Sequence, residues 1–282
     1  RSTQAKTLFP YTTLFRSSAI SSAQRNSSGV SRISGIFRKG GIHIFHFAYK
    51  ANAPEDRLLK IGDFVLSLSM PYSAGVFFLV MKLKPPKIIR HLFPSLIWEI
   101  DDPEGVFLTF DDGPTPGITE WILAMLEKYD AKATFFVLGK NVEAYPDLFR
   151  RIVDAGHKVG NHTYSHQKGW GMSLERYIED VDFANDLIHS ELFRPPYARI
   201  TPAQARALSQ RYKLVMWDVL SRDYSRSLSP RKCLKNVTKH LEPGAIVVFH
   251  DSEKSFRNMR YALPRTLDKI RKLGLKCKTI EL

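Results

Sequence analysis

The sequence contains little cysteine, and its acidic residues are outnumbered by basic ones. The two cysteines, Cys233 and Cys277, cannot form a disulfide-rich scaffold, and they lack the paired spacing of a zinc knuckle. There are 28 Asp and Glu against 42 Lys and Arg, which gives a net charge of +14. Hydrophobic residues still fill 44% of the 282 positions, enough to build a core, so a chain that is disordered throughout is excluded.

The excess of positive charge is spread unevenly along the chain. Residues 1–80 carry 10 Lys and Arg against 3 Asp and Glu, and residues 81–282 carry 32 against 25, so each part contributes +7. Half of the excess therefore belongs to less than a third of the chain, and the rest shows no single basic stripe. We do not expect a nucleic-acid partner from this distribution.

Residues 1–80 are expected to lie outside the folded domain, which is predicted over residues 81–282. Residues 7–17 resemble the in-frame translation of a short-read sequencing adapter. The stretch that follows, up to Lys50, is rich in Ser, Gly and Arg and has no sustained hydrophobic period. Two interpretations stay open: a disordered N-terminal extension, or an artefact of DNA translated upstream of a start at Met70 or Met81.

Long apolar runs are scarce, and residues 64–81 form a marginal candidate for a membrane span. They lack charge over 18 positions, the lower limit for a spanning helix. Pro71 and Gly75 interrupt the run, and no convincing signal-peptide cleavage site follows it. A membrane anchor and upstream read-through are both compatible with this segment, and so are a cytoplasmic and an envelope-associated protein. The sequence carries no signal for an oligomeric state.

From residue 105 onward, short apolar runs alternate with helical patterns. Helices are predicted at residues 119–129, 146–155, 173–189, 202–211, 229–240 and 262–273. Seven buried strands are predicted around them, at residues 106–110, 133–138, 158–161, 192–194, 214–217, 245–249 and 276–280. This alternation predicts a parallel α/β fold, and a doubly wound open sheet and an irregular (β/α) barrel fit it equally well.

Polar and charged side chains come directly after five of these strands. Parallel strands end at one edge of a sheet, and both barrels and open sheets build their active sites there. The sequence therefore predicts one shared site at the carboxyl ends of the strands. The residues in these positions are Asp111 and Asp112, His162, Arg194, Trp217 and Asp218, and His250.

Two carboxylates and two histidines are candidates for a metal site. Asp111 and Asp112 precede a Gly-Pro turn and point in different directions, so one could bind a metal while the other acts as a base; two solvated acids in a turn would look the same. His162 and His166 would share one face of a helical turn and could chelate a cation, although such a pair is more often incidental. With Asp112 they would form a two-His-one-carboxylate set that suits Zn²⁺, Co²⁺ or Ni²⁺ better than Mg²⁺.

Arg194 and His250 also follow apolar strands. Arg194 begins the rigid segment Arg-Pro-Pro-Tyr, and its permanent charge makes it a candidate site residue. The alternative interpretation is a surface arginine that precedes a structural turn. His250 follows the apolar run 245–249, where a buried histidine of the core is equally common. Asp223 could orient His250 and raise its pKa, which would suit the imidazole to proton donation.

Taken together, these segments resemble the polysaccharide deacetylases, the carbohydrate esterase family 4 enzymes with a NodB homology domain. The resemblance covers residues 100–282 and rests on five motifs in the family's order. It implies a distorted, incomplete (β/α) barrel of about seven parallel strands. The motifs that carry it are Asp111-Asp112-Gly113-Pro114, His162 with His166, Arg194-Pro195-Pro196-Tyr197, residues 217–224, and the closing strand with His250.

The resemblance also implies roles for single residues. Asp111 would be the general base, with Arg194 paired to it, and His250 would be the general acid, with Asp223 as its carboxylate partner. The residues that match the family's metal ligands are Asp112, His162 and His166. The residues that match its substrate pocket are Tyr197, whose backbone N–H would help to hold the oxyanion, and Tyr224 and Val248, which would wall the acetyl methyl group.

Three positions depart from the family's common pattern. Ala198 stands where Gly is common, Leu220 where the first of two acids is common, and Tyr224 where Trp is common. None of them removes a proposed catalytic group, but two lie in the motif that borders the pocket, so they bear on substrate preference.

The function that the resemblance implies is metal-dependent removal of N-acetyl, or O-acetyl, groups from a sugar. The expected cofactor is one divalent metal ion, Zn²⁺ ahead of Co²⁺ or Ni²⁺, and the expected partner is an acetylated glycan such as peptidoglycan N-acetylglucosamine or a chito-oligosaccharide. Two alternatives are an amidase that acts on a small non-sugar molecule and a non-catalytic carbohydrate-binding module.

Overall fold

The computed structural model describes residues 95–282 in full and, before them, the backbone of six strands. Its two compact units are Arg1–Glu55 and Asp56–Leu282. The first contains an antiparallel sheet of β1 (Ile20–Arg25), β2 (Val30–Arg38) and β3 (Ile42–Lys50), and the second begins with an antiparallel sheet of β4 (Leu58–Ile61), β5 (Phe64–Ser69) and β6 (Val76–Val80).

Several expectations about the N-terminal part fall outside this description. The adapter-like residues 7–17, Met70 and Met81 are not among the described residues, and the domain boundary after residue 80 adjoins residues 81–94, which are also outside them. Both the boundary and the extension over residues 1–80 stay predictions. Among the described residues, no helix has the length and hydropathy that crossing a bilayer requires.

Nine parallel strands form the sheet of the main domain, two more than the sequence predicts. Neighbouring strands follow the order β13-β14-β8-β9-β10-β11-β12-β7, and β15 pairs with β8. The strands are β7 (Leu96–Ile97), β8 (Gly105–Asp111), β9 (Thr134–Val137), β10 (Lys158–Asn161), β11 (Leu192–Phe193), β12 (Lys213–Val215), β13 (Val219–Leu220), β14 (Ile246–His250) and β15 (Lys276–Cys277).

Within residues 95–282, seven helices connect and cover these strands. Most of them return the chain from the end of one strand to the start of the next, as parallel pairing requires; two helices in a row separate β9 from β10, and no α-helix separates β7 from β8 or β12 from β13. The helices are α1 (Ile118–Lys128), α2 (Gly139–Ala144), α3 (Pro146–Asp154), α4 (Leu174–Ile188), α5 (Pro202–Leu208), α6 (Pro230–Thr238) and α7 (Glu253–Lys272).

The sheet curls into a distorted, incomplete (β/α) barrel, which confirms the fold that the resemblance implies. The strand order runs from β13 to β7 without closing, and the chain after β7 meets the start of β14 through an antiparallel bridge between Glu99 and Ala245. Ile100 donates a hydrogen bond to the Gly244 carbonyl there. Gly244 has a φ of 79°, and a Cβ on it would overlap the Ile100 carbonyl, so this approach requires glycine.

Strand β8 shows why the sequence folds in this way. All seven of its residues are buried, because both faces of a parallel sheet are covered. Val106, Leu108 and Phe110 pack with the helices on the outside of the sheet, whereas Phe107 packs with the residues that fill its inner side. The alternation places Asp111, the last residue of the strand, on the same side of the sheet as Phe107.

The structure differs from the predicted elements mainly in two cases. Some elements are too short to show a hydrophobic pattern, and in one helix buried polar residues interrupt that pattern. Strands β7 and β13 have two residues each, too few to show a period, and helix α2 has six. Helix α7 begins at Glu253, nine residues before the predicted start at residue 262, and Pro264 lies inside it. Its first half buries Ser255 and Asn258 alongside Met259, so polar residues hide the apolar stripe.

Candidate active site

Most of the predicted site residues gather where the parallel strands end. Asp218 does not: its N–H donates to the Ile246 carbonyl at the start of β14, and its carboxylate lies with those of Glu99 and Glu242. Asp111 ends β8 and His250 ends β14, and the two are paired in the register of these neighbouring strands. His162 follows β10 directly, and Arg194 follows β11. The side chains that the sequence separates by up to 139 positions therefore meet at one edge of the barrel, as the strand pattern predicts.

Asp111 is held by a fully buried arginine. Arg194 Nη1 lies 2.6 Å from Asp111 Oδ1 and also donates to the hydroxyl of Thr109 at 2.7 Å. Its Nη2 donates to the Met216 carbonyl, and the guanidinium lies 4.0 Å from the centre of the Phe136 ring. Asp111 is 4% exposed and Arg194 0%. The pair is thus shielded from water, and the carboxylate has one fixed orientation.

Asp112, His162 and His166 bring three ligand atoms within 4.8 Å of one another. Asp112 Oδ1 lies 3.1 Å from His166 Nε2 and 3.8 Å from His162 Nε2. His162 Nδ1 lies 2.7 Å from the Arg194 carbonyl, which can only accept, so Nδ1 carries the proton and Nε2 has a free lone pair. Burial lowers the pKa of His162 to about 4, which keeps this imidazole neutral.

The charge of the Asp112 carboxylate is strongly favoured. Burial alone would raise its pKa, but His166, His250 and His162 outweigh this effect and hold the pKa of Asp112 well below its usual range. Its Oδ1 is buried and accepts no well-aligned hydrogen bond within the described part of the chain, although His166 Nε2 is near. A buried carboxylate oxygen that faces two imidazole nitrogens fits a divalent cation.

The two histidines are brought together by a loop, so the helical turn expected between them is wrong. Thr163 and His166 have φ values of 68° and 61°. Asn161 Oδ1 accepts a hydrogen bond from the Thr163 N–H, and Thr163 Oγ1 accepts one from the His166 N–H. This left-handed path places the two imidazole rings 5.3 Å apart. Side-chain hydrogen bonds to the backbone, rather than helical spacing, align the pair.

His250 and Asp223 form a closely bonded pair. His250 Nδ1 lies 2.8 Å from Asp223 Oδ1, and the His250 backbone N–H donates to Oδ2 at 2.8 Å. The Tyr224 N–H and the Asn258 side chain add bonds to Asp223, which is 0% exposed. Burial disfavours the imidazolium, but Asp223 outweighs it and raises the pKa of His250 to about 9. With Nδ1 bound to Asp223, Nε2 holds the transferable proton.

The predicted pocket residues flank these groups. The Tyr197 ring lies 4.6 Å from the His166 ring. Tyr197 has a φ of 59° and lies in the 3₁₀ turn Pro196–Ala198, in which the Ala198 N–H donates to the Pro195 carbonyl. The Tyr224 ring meets the His250 ring edge-on at 4.9 Å. Val248, two residues before His250, is fully buried in the inner core against which Tyr224 packs.

Asp251 is a buried carboxyl group that sequence reasoning missed. Its N–H donates to the Asp111 carbonyl at 2.7 Å, and Thr119 Oγ1 donates to its Oδ2 at 2.5 Å. A Cβ on Gly113 would overlap the Asp251 carboxyl group, so the two are in close contact. Burial raises the pKa of Asp251 to about 7. The only signal was its place after His250, at the end of the same strand.

Several known protein sequences are similar to this chain. The sequence profile described as polysaccharide deacetylase matches residues 100–216. One peptidoglycan-N-acetylglucosamine deacetylase of Bacillus cereus is 36% identical over 154 residues, which are 52% of this chain and 56% of that protein. A second B. cereus protein of the same name is 31% identical over 192 residues, 65% of this chain and 90% of that protein. The chain thus spans little more than half of the first relative and most of the second.

Comparison of structures gives the same family. The Bc1960 peptidoglycan N-acetylglucosamine deacetylase aligns with a TM-score of 0.62 and 28% identity, over 66% of this chain and 91% of its own. A carbohydrate esterase family 4 pseudoenzyme from Bacillus anthracis aligns with a TM-score of 0.59 and 28% identity, over 65% of this chain and 66% of its own. On its sequence and its fold, the chain belongs to the polysaccharide deacetylase family.

Proposed function

We propose that the protein is a hydrolase that uses one divalent metal ion to remove N-acetyl groups from a glycan. The observation that carries this proposal is the co-location of a paired base, a bonded acid and a three-residue metal group at one edge of the barrel. The names of the B. cereus relatives support N-acetylglucosamine in peptidoglycan as the substrate.

Asp112, His162 and His166 would hold the metal ion. Their donor set of two imidazole nitrogens and one carboxylate favours Zn²⁺, with Co²⁺ and Ni²⁺ as alternatives. When bound there, such an ion would polarise the acetyl carbonyl and acidify the attacking water.

Asp111 and His250 would move the protons. Asp111 would accept the proton of the attacking water, and its bond to Arg194 would hold the carboxylate in position for this step. His250 Nε2 would then give its proton to the nitrogen of the leaving amine, and Asp223 would stabilise the imidazolium before the transfer. The register pairing of β8 with β14 sets Asp111 and His250 side by side, as consecutive proton transfers at one bond require.

Tyr197, Tyr224 and Val248 would position the acetyl group. The Tyr197 N–H would donate a hydrogen bond to the oxyanion that develops during attack. Tyr224 and Val248 would enclose the methyl group with apolar surface. These assignments rest on the placement of the two rings beside His166 and His250.

Because one relative is a pseudoenzyme, family membership alone does not carry catalysis. The pair of His250 and Asp223 favours an enzyme over a carbohydrate-binding module. A module that only binds sugar has no need of a half-buried imidazole whose pKa is raised by a fully buried carboxylate, since such a pair is suited to proton transfer.

Two variants test the proposed roles separately from the fold. Asp111→Asn and His250→Ala should each lower kcat by about 10²–10⁴-fold, because each removes one proton-transfer group. Both should still bind one equivalent of Zn²⁺, since neither residue belongs to the metal group. Full turnover by either variant, measured as acetate released from an acetylated chito-oligosaccharide or peptidoglycan, would overturn the assignment.

A further inference from the structure

An exposed lysine lies beside the metal group. Lys168 Nζ is 5.3 Å from the centre of the Tyr197 ring, and that ring packs 4.6 Å from the His166 ring. Tyr197 is itself 54% exposed, so the ring presents an open face next to the ammonium. The ammonium is thus one aromatic ring away from a candidate metal ligand.

A second exposed lysine lies beside the proton donor. Lys254 Nζ is 5.6 Å from the centre of the Tyr224 ring, and that ring packs 4.9 Å from the His250 ring. Arg222, which is also exposed, interacts electrostatically with the Tyr224 hydroxyl. The same arrangement of a cation, an aromatic ring and a site histidine therefore occurs twice, after β10 and after β14. In the sheet, β14 is next to β8 on one side, and β10 is two strands from β8 on the other side.

These ammonium groups have no acidic partner within residues 95–282. Neither Lys168 nor Lys254 forms an ion pair there, whereas Lys158, Lys276 and Lys278 do. The exposed acid closest to Lys254 in the chain is Glu253, and the acids of the site itself are turned inward. Removal of an acetyl group from a neutral sugar gives no role to two cations at the mouth of the site.

We propose that Lys168 and Lys254 bind carboxylates of the glycan on the two sides of the acetyl-binding pocket, so that the preferred substrate is an anionic glycan. The inference rests on the proposed function, because that function defines where the acetyl group of the substrate binds. Carboxylates can come from two sources in an acetylated cell-wall glycan: an acidic sugar, such as one with a lactyl ether, or a peptide attached to the sugar. Both offer the same partner to an ammonium group.

Binding is measured by calorimetry on the full chain with Zn²⁺, in an Asp111→Asn background in which turnover is slowed. Three tetrasaccharides serve as ligands: a neutral N-acetylglucosamine oligomer, an alternating N-acetylglucosamine–N-acetylmuramic acid oligomer with free lactyl carboxylates, and the same oligomer with its lactyl groups joined to peptides. The test variant is Lys168→Gln with Lys254→Gln. The control is Lys235→Gln with Lys272→Gln, which removes the same charge from α6 and from the far end of α7.

The anionic oligomers should bind more tightly than the neutral one, and the test variant should lose roughly threefold to tenfold in affinity for them alone. The difference should shrink as salt is added, and the control should match the parent. A gain confined to the peptide-bearing ligand would assign the carboxylate to the peptide. Equal affinity for neutral and anionic ligands, or an equal loss for both in the test variant, would overturn the inference.

Acetate release by the chain with Asp111 intact separates this inference from the proposed function. Discrimination between ligands without acetate release would contradict the proposed function and leave carboxylate recognition standing. Acetate release at equal kcat/KM from neutral and anionic oligomers would support the proposed function and contradict carboxylate recognition.

Discussion

The proposed role of His250 as the general acid depends mainly on its buried partner, Asp223. Asp223 raises the pKa of His250 to about 9, with smaller contributions from Asp112 and Asp111. A general acid works only while protonated, so activity should fall as the pH rises through this pKa. A cation bound at Asp112 would cancel part of the negative charge there and place the alkaline limb at or below that value.

Asp223→Asn should therefore move the alkaline limb of the pH profile to lower pH. The amide can still accept a hydrogen bond from Nδ1, but it carries no charge to stabilise the imidazolium. The measurement is kcat/KM against pH for the parent and the variant, with metal content checked in both. An unchanged alkaline limb would show that Asp223 does not set the acid strength of His250.

Asp251 is expected to hold the Asp111–Thr115 turn in place. Asp251→Ala should lower the free energy of unfolding by about 1–3 kcal/mol, because the Thr119 hydroxyl loses its buried acceptor and a cavity opens beside Gly113. Asp251→Asn should cost less, since its carbonyl oxygen can still accept from Thr119. Denaturant unfolding compares the two, and equal losses would contradict a hydrogen-bonding role.

At the scale of elements, the loop after β10 would set the geometry of the proposed metal site. Asn161, fully buried, accepts from the Thr163 N–H and donates to the Val181 carbonyl of α4. Asn161→Ala should weaken Zn²⁺ binding about 10-fold or more, as the loss of supporting hydrogen bonds around metal ligands does. Competition with a chelator measures this. Asn161→Asp keeps the hydrogen-bond acceptor and should retain more of the affinity for Zn²⁺. Weaker Zn²⁺ binding by Asn161→Asp than by Asn161→Ala would contradict this role of Asn161.

How much of the fold could be predicted depended on element length. The five-to-seven-residue strands β8 and β14 carry enough apolar residues to be recognised, and their ends correctly placed Asp111 and His250 together. Strands β7 and β13 have two residues each and are defined by their neighbours rather than by their own pattern. Tertiary pairing, which a local pattern does not contain, creates them.

The loops of the site could not be predicted for a different reason. Thr163, His166 and Tyr197 have positive φ values, which residues with a Cβ seldom adopt. Thr163 and His166 are held by the side chains of Asn161 and Thr163, a bonding choice that spacing alone does not show. The neighbouring His162 ring is oriented by the Arg194 carbonyl, 32 positions away in the chain. Spacing therefore indicated which residues meet, whereas the way in which they meet depends on contacts between elements.

At the scale of the whole molecule, residues 81–282 are expected to carry the activity alone. A chain truncated to these residues should keep the unfolding midpoint and the acetate release of the full chain, because every group of the proposed site lies between Asp111 and Asp251. Thermal unfolding and kcat/KM of the two chains test this. A large drop in the midpoint would show that strands β4–β6, which belong to the compact unit Asp56–Leu282, stabilise the domain.

Metal-dependent deacetylation is the function proposed for this edge of the barrel. The most direct test is acetate release by the full chain from acetylated chito-oligosaccharides and from peptidoglycan, first stripped of metal and then supplied with Zn²⁺ or Co²⁺. The account predicts no acetate from the stripped protein and catalytic turnover on one or both glycans after one equivalent of metal. A folded, metal-loaded protein that releases no acetate from either glycan would contradict it.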